Sequence, residues 1–209
     1  MTLAFIGIGN VGFALANNLQ GKGYDIIVAN DNPESESVQN ALKKNSNFKA
    51  LPVQEAIDVS EITFLATPFK VNEALLKGLD FQGKPLVDCT NPVGPGISHG
   101  LESKISGSEK IQEWAPSANV VKAFTIYGFE NFSNPAYLNS EEKPAMLYAG
   151  NNAVAKEKVA NIINSSGFFA KDVGALDQAL HLEHMTLLWV KMVRRDGHHP
   201  NFMWSYLEK

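Results

Sequence analysis

The feature that most constrains this chain is the glycine motif GIGNVG, in which Gly7, Gly9 and Gly12 separate an apolar run from a helical one. Each glycine has its own purpose there. Gly7 permits a tight turn, Gly9 lets the backbone approach a pyrophosphate, and Gly12 lets the helix pack close to the strand. The helix N-terminus then offers unpaired N–H groups and partial positive charge to an anion. The motif therefore predicts a βαβ unit that binds a dinucleotide, NAD(H) or NADP(H).

Apolar runs and helical segments alternate along the rest of the chain. Strands are predicted at residues 3–8, 25–29, 48–51, 62–66, 85–88, 119–124, 145–149 and 168–173. Helices are predicted at residues 11–20, 38–44, 53–59, 71–79, 109–114, 153–163 and 176–194. Apolar strands that alternate with helices indicate a parallel sheet covered on both faces. We therefore expect an α/β fold: one doubly wound, mostly parallel, Rossmann-like domain over residues 1–209.

The ends and connections of this domain carry further expectations. The closing helix and a short aromatic tail should occupy about residues 176–209. Trp189, Phe202, Trp204 and Tyr206 in this region are either core residues or the seam of a homodimer. Residues 94–100 and 129–143 are expected to form long loops, which often act as functional lids.

Composition and charge exclude several classes of partner. The chain has 44% hydrophobic and 19% charged residues, which suits a globular core. Its net charge of −4 argues against nucleic acid, which requires a cationic face. No apolar run approaches the roughly 18 residues of a membrane span. The chain enters its first strand without a signal-cleavage pattern, and its single Cys89 cannot form an intrachain disulfide. We expect a cytoplasmic protein that binds neither membranes nor nucleic acid.

The tip of the second strand bears on the choice between NAD and NADP. Asp31 follows Gly12 at close to the spacing of about 20 residues at which an acid hydrogen-bonds the adenosine ribose. Residues 30–40 contain no lysine or arginine that could neutralise a 2′-phosphate. These features favour NAD(H). Alternatively, Asp31 is a solvated turn residue and Asn30 or Asn32 makes the contact.

Several short segments follow the glycine motif in order. They are TPF at residues 67–69, DCTNPV at 88–93, EW at 113–114, VVKAF at 120–124, PAMLYAG at 144–150, and LE at 182–183 with LW at 188–189. Together they resemble the deazaflavin (coenzyme F420)-dependent NADP oxidoreductase family. The resemblance implies a usually dimeric, hydride-transferring oxidoreductase with a modest C-terminal extension. Its cleft stacks a nicotinamide against a flat acceptor.

The resemblance also implies roles for individual residues. Cofactor contacts would come from Ile8, Asn10 and Val11 at the pyrophosphate, Thr67 and Pro68 at the ribose and nicotinamide, and Asn91 and Pro92 on the nicotinamide side. Residues 124–127 and the turn at Gly174 and Ala175 would border the second substrate. Thr125 and Tyr127 are therefore the candidate catalytic residues.

Two positions depart from the family pattern. Asn30 and Asp31 stand where NADP-using members carry a Ser/Thr-Arg pair, which leaves the NADP preference open. Thr125 stands where relatives commonly have Asn after Lys-Ala-Phe. This second departure leaves the acceptor open between a deazaflavin, another flavin-like ring, and a small carbonyl or imine.

Other reactive side chains have competing interpretations. Lys122 and Tyr127 could donate a proton to a carbonyl or imine, or they are a strand-end surface lysine and a tyrosine on the rim. His181 and His184 share one helix face, but two histidines are too few ligands for zinc, so no metal is expected. Neither Lys122 nor Tyr127 is an obvious proton donor and the C-terminal region is short, so the alternative to an enzyme is a non-catalytic NAD(P)-binding redox sensor.

Overall fold

A computed structural model describes residues 1–137 and 142–209, so part of the loop predicted at 129–143 lies outside the described residues. The strands are β1 (Thr2–Ile6), β2 (Asp25–Ala29), β3 (Lys49–Leu51), β4 (Ile62–Leu65), β5 (Pro85–Asp88), β6 (Val93–Gly94), β7 (Ser98–His99), β8 (Asn119–Lys122), β9 (Ala145–Gly150) and β10 (Phe169–Asp172). The α-helices are α1 (Asn10–Gly21), α2 (Glu36–Lys44), α3 (Val53–Val59), α4 (Asn72–Leu76), α5 (Gly107–Trp114), α6 (Ala153–Ser165) and α7 (Ala179–Val190).

The main sheet has the strand order β10-β9-β8-β5-β4-β1-β2-β3. Its neighbouring strands are parallel except for the antiparallel pair β8 and β9. The chain leaves β1 toward β2 on one side and returns to β4 on the other. Ligands of open α/β sheets bind at such a reversal, outside the carboxyl ends of the strands. The predicted Rossmann-like, doubly wound fold is confirmed.

Both faces of the sheet are covered because alternate residues of each strand point in opposite directions. Leu3 and Phe5 of β1 pack into a cluster with residues of α1, α2 and α6. Ala4 and Ile6 pack on the opposite face with residues of α3, α4 and α5. This double coverage explains why the strands read as continuous apolar runs.

Some connections differ from their predicted form. The helix predicted at 71–79 is a 3₁₀ turn, Phe69–Val71, followed by the short α4, and the left-handed backbone of Gly78 (φ +86°) comes after its end. The loop predicted at 94–100 contains most of a small hairpin, formed by β6 and β7. The closing helix is divided into a 3₁₀ turn at Leu176–Gln178, α7, and a π-helical turn at Lys191–Arg195.

The aromatic tail folds back onto its own chain. The backbone N–H of Ala145 donates to the carbonyl of Trp204 at 2.8 Å, and the rings of Phe202 and Trp189 lie 6.5 Å apart. Trp189 is buried, whereas Tyr206 is exposed. Trp189, Phe202 and Trp204 therefore pack with the core of this chain, and a homodimer stays a prediction. Within the described ranges, no helix combines the length and apolar character needed to span a membrane.

The packing of α1 on β1 generates a stability prediction. A Cβ atom added at Gly12 would lie 2.1 Å from the carbonyl oxygen of Gly7, so Gly12→Ala should force the helix outward. We expect a loss of about 2 kcal/mol or more in the free energy of unfolding, measured by denaturant titration. Gly21→Ala on the same helix is the control, because a Cβ there meets nothing within 4 Å. A Gly12→Ala protein as stable as the Gly21→Ala protein would contradict this account.

Candidate cofactor and substrate site

The glycine turn lies between β1 and α1 and is closed on two sides. Gly7 has φ +93°, and a Cβ there would lie 2.8 Å from the carbonyl of Ala66 and from the side chain of Thr67. Gly12 closes the turn from the helix side. Gly9 differs from both, because a Cβ at this position would meet nothing within 4 Å. The turn is therefore closed at Gly7 and Gly12 and open at Gly9.

A cleft of about 540 Å³ lies over this turn, a size typical of small-molecule sites. The predicted cofactor-binding residues that line it are Gly7, Ile8, Gly9, Asn30, Asp31, Thr67 and Pro68. Ile8, Gly9 and Asn10 also border an adjoining cleft of about 400 Å³. Val11 instead packs against the core, and Gly12 is buried. The structure thus brings most of the predicted contacts of the adenosine and pyrophosphate side together.

The start of α1 fits the phosphates of a dinucleotide. The first helical hydrogen bond runs from the N–H of Phe13 to the carbonyl of Gly9, which leaves the N–H groups of residues 10–12 without helical acceptors. No side chain caps this helix, and its first turn has no acidic residue. Together with the open space over Gly9, these free donors provide the features that a pyrophosphate requires.

The tip of β2 is held in a defined turn. Asn30 Oδ1 accepts a hydrogen bond from the N–H of Asn32 at 2.8 Å. Asp31 Oδ1 accepts one from the N–H of Val53, the first residue of α3, at 2.9 Å. The carboxylate is exposed but tethered, and it stands in the wall of the cleft. Asp31 is therefore more than a freely solvated turn residue.

The segment after β4 is fixed by a residue that the sequence interpretation missed. The hydroxyl of Thr67 donates to Oδ1 of Asn72, whose side chain is fully buried. The Nδ2 atom of Asn72 has no hydrogen-bond partner among the described residues. Asn72 thus orients Thr67 at the cleft.

A chain of hydrogen bonds joins the predicted nicotinamide side to the predicted acceptor side. Thr125 Oγ1 donates to Asn91 Oδ1 at 2.6 Å, and the hydroxyl of Thr186 on α7 donates to the backbone carbonyl of Thr125 at 2.8 Å. Pro92, next to Asn91, is buried. Just before Thr125, Phe124 adopts a left-handed backbone conformation with φ +54°. For a bulky residue such strain is uncommon and concentrates at functional sites.

Tyr127 does not belong to this chain of hydrogen bonds, and its assignment as a catalytic or rim residue is corrected. Its hydroxyl donates to the carbonyl of Ala145 at 3.0 Å and accepts from the N–H of Trp204 at 2.9 Å. Burial raises the pKa of this phenol above its ordinary value. The side chain therefore anchors the C-terminal tail and has its proton committed to the backbone.

Lys122 is also placed differently from the expected strand-end surface lysine. It is fully buried, and Nζ lies 3.0 Å from Asp88 Oδ2 and 3.1 Å from Glu183 Oε1. Burial alone would lower the pKa of Lys122, but the two carboxylates outweigh it and raise the pKa above its usual value. This ammonium is enclosed by its partners and cannot serve a substrate as an acid.

The histidine and cysteine side chains that could bind a metal or act as a nucleophile lie in surroundings that favour neither role. The exposed His184 ring lies 5.4 Å from the ring of buried His99, and Nε2 of His99 lies 2.8 Å from Glu183. Over the described part of the chain, no cluster of three potential metal ligands occurs. Burial, followed by the charge of Asp88, raises the pKa of the Cys89 thiol, so a reactive thiolate is disfavoured.

Comparisons with known proteins agree with this geometry. The model of the family described as "NADP oxidoreductase coenzyme F420-dependent" matches residues 2–92. Metalloreductase STEAP3 of Rattus norvegicus is 27% identical over 188 residues, which make up 88% of this chain and 36% of that protein. This chain thus spans about a third of the length of that curated relative.

Solved structures share the fold over most of the chain. A candidate F420-dependent NADP-reductase from Arthrobacter sp. FB24 superposes with a TM-score of 0.81 at 23% identity, and the match covers 100% of both chains. A variant imine reductase from Myxococcus stipitatus, solved with NAD+, has a TM-score of 0.66 at 21% identity and covers 91% of this chain and 62% of its own.

The fold and the glycine turn together define a Rossmann-type NAD(P)-binding domain. The family model confirms the resemblance to coenzyme F420-dependent NADP oxidoreductases over residues 2–92, and the solved structures show that the fold continues over the rest of the chain.

The open space over Gly9 generates a binding prediction. Gly9→Val should fold normally, because a Cβ at this position meets no atom of the described residues within 4 Å, but the branched side chain should occupy the pyrophosphate position. We expect the affinity for both NADH and NADPH to fall at least a hundredfold, measured by calorimetric titration. Thermal unfolding of the variant should match the wild type. Unchanged affinity for both dinucleotides would remove the glycine turn from the cofactor site.

Proposed function

We propose that this chain is an NAD(P)-dependent oxidoreductase that transfers a hydride between a nicotinamide and a flat, deazaflavin- or flavin-like acceptor. The observation that supports it best is the pairing of two features at one sheet edge. One is the open glycine turn with its free N–H groups. The other is the Asn91–Thr125–Thr186 hydrogen-bond chain, which stands at the carboxyl ends of β5 and β8.

The residues around the proposed acceptor position contribute orientation more than acid–base chemistry. The bound nicotinamide would supply the redox chemistry itself. Asn91 is held by Thr125, so its Nδ2 is the group of that side chain available to donate toward a ligand. The buried Pro92 beside it keeps water away from this segment of the chain. Such alignment and desolvation are what a transfer between two rings requires.

The position of the titratable groups favours a ring as the acceptor. Lys122 and Tyr127, the two proton donors considered for a carbonyl or imine, are both sequestered by other partners. The polar side chains of the hydrogen-bond chain are an amide and two hydroxyls, none of which titrates near neutral pH. A flat conjugated ring accepts a hydride without a dedicated side-chain acid, whereas a small carbonyl or imine depends on one.

A panel of acceptors tests this function directly. NADH or NADPH oxidation should be followed at saturating cofactor with a deazaflavin, with free FMN and FAD, and with a small cyclic imine. We expect turnover with at least one ring acceptor and little with the imine. Tight cofactor binding without turnover on any acceptor would instead support the redox-sensor alternative.

The hydroxyl of Thr125 should matter for turnover and little for cofactor affinity. Thr125→Val frees Asn91 to rotate, and we expect kcat with the ring acceptor to fall about tenfold, the effect of 1.4 kcal/mol, or one hydrogen bond. Thr63→Val is the control, because Thr63 is equally buried but its hydroxyl lies near Ser60. Lost cofactor affinity with normal turnover at saturation would contradict the placement of Thr125.

Cofactor choice should depend on Asp31. A carboxylate tethered in the cleft wall repels a 2′-phosphate, so we expect wild-type protein to bind NADH about ten- to a hundredfold more tightly than NADPH. Asp31→Arg should reverse the order. Asp31→Asn is the matched control: it can still accept the hydrogen bond from Val53, and the preference should shrink without reversing. A wild-type preference for NADPH that the arginine leaves unchanged would show that Asp31 does not face the ribose.

A further inference from the structure

The buried cluster around Lys122 contains more negative than positive charge. Asp88 accepts four hydrogen bonds: from the N–H and hydroxyl of Thr90 at 2.8 and 2.7 Å, from Ser108 Oγ at 2.6 Å, and from Lys122 Nζ at 3.0 Å. Each carboxylate oxygen faces one group that can only donate, the N–H of Thr90 at Oδ1 and Nζ of Lys122 at Oδ2, and each also accepts from one hydroxyl. Asp88 is therefore a carboxylate.

Glu183 on α7 is surrounded in the same way. Oε1 accepts from the N–H of Gly107 at 3.0 Å and lies 3.1 Å from Lys122 Nζ, while Oε2 lies 2.8 Å from His99 Nε2. The other ring nitrogen of His99 accepts N–H groups of residues 101 and 103, so His99 is the neutral tautomer that donates from Nε2. Two carboxylates, one ammonium and a neutral imidazole leave one net negative charge.

This charge lies close to Asn91, the residue assigned to the nicotinamide side. Asp88 ends β5 and precedes Asn91 by three residues. Glu183 lies one helical turn from Thr186, whose Oγ1 is 2.9 Å from Thr125 Oγ1, which in turn donates to Asn91. Asn91 is thus on the order of 10 Å from Glu183, one turn and two hydrogen bonds away. All four charged or titratable members are buried, so water screens their field weakly.

We propose that the net negative charge of the cluster formed by Asp88, Lys122, Glu183 and His99 makes the site favour the oxidised, cationic nicotinamide over the reduced, neutral one. The inference rests on the proposed function. Oxidised and reduced dinucleotides differ only in the nicotinamide ring, so a charge near the ring acts on the difference between their affinities. By linkage, this difference sets how readily the bound cofactor gives up a hydride.

Binding of the two redox forms to charge-changed variants tests the inference without measuring turnover. The dissociation constants of NAD+ and NADH should be determined by calorimetry for wild type, Glu183→Gln and Asp88→Asn, or those of NADP+ and NADPH if these bind better. Each amide variant removes the net charge at nearly constant volume. We expect the ratio Kd(oxidised)/Kd(reduced) to rise about three- to tenfold in either variant.

The control is Glu61→Gln, which makes the same change in charge at an exposed position before β4, the amino end of the sheet. Its ratio should equal that of the wild type. A variant that only loosens the fold would weaken both redox forms together and leave the ratio unchanged. A ratio within twofold of wild type in a folded Glu183→Gln or Asp88→Asn protein overturns the inference.

The wild-type protein alone provides a second test if neither amide variant folds. We expect it to bind the oxidised dinucleotide at least as tightly as the reduced one, and a reduced form bound tenfold more tightly would overturn the inference. Absence of any dinucleotide binding by wild type would overturn the proposed function itself. Tight binding of both forms with an unaltered ratio in the variants would overturn only the charge effect.

Discussion

The close approach of α1 to the end of β1 is the constraint on which the site depends. The position that a Cβ of Gly12 would take is 2.1 Å from the carbonyl of Gly7, so the helix can reach the strand only because position 12 has no side chain. This contact directs the free N–H groups of the first helical turn over the carboxyl ends of β1 and β4. The cleft, its anion-binding donors and the turn at Thr67 all follow from that placement.

The position of the segment that carries Asn91 depends on buried charge. Lys122 joins β8 to β5 through Asp88 and to α7 through Glu183, while His99 adds the β6–β7 hairpin. Such a group is costly to bury and gains little stability over an apolar core, and removal of Lys122 would leave two buried carboxylates without a cation. The buried charged group fixes the segment that carries Asn91 relative to the helix that carries Thr186.

The sheet and the glycine turn could be predicted from the sequence, because both follow from local rules. These rules are apolar periodicity and the steric freedom of glycine. The contacts of Lys122 and Tyr127 could not be predicted in this way, because distant segments of the chain provide them. Tyr127 meets Trp204, 77 residues away, and Lys122 meets Glu183 on the last helix. A signal did exist for Lys122, since Asp88, Lys122 and Glu183 each interrupt an apolar segment, and charges in such positions are normally paired.

Both departures from the family pattern lie after strands, where the fold tolerates change and ligands bind. Asn30 and Asp31 form a turn closed by local hydrogen bonds, so the sheet does not depend on which side chain faces the ribose. Thr125 is more constrained, because it lies between Asn91 and Thr186. A longer asparagine here would have to displace the hydroxyl of Thr186 or the amide of Asn91. Thr125 and Thr186 are therefore a matched pair, and both would set the shape of the proposed acceptor site.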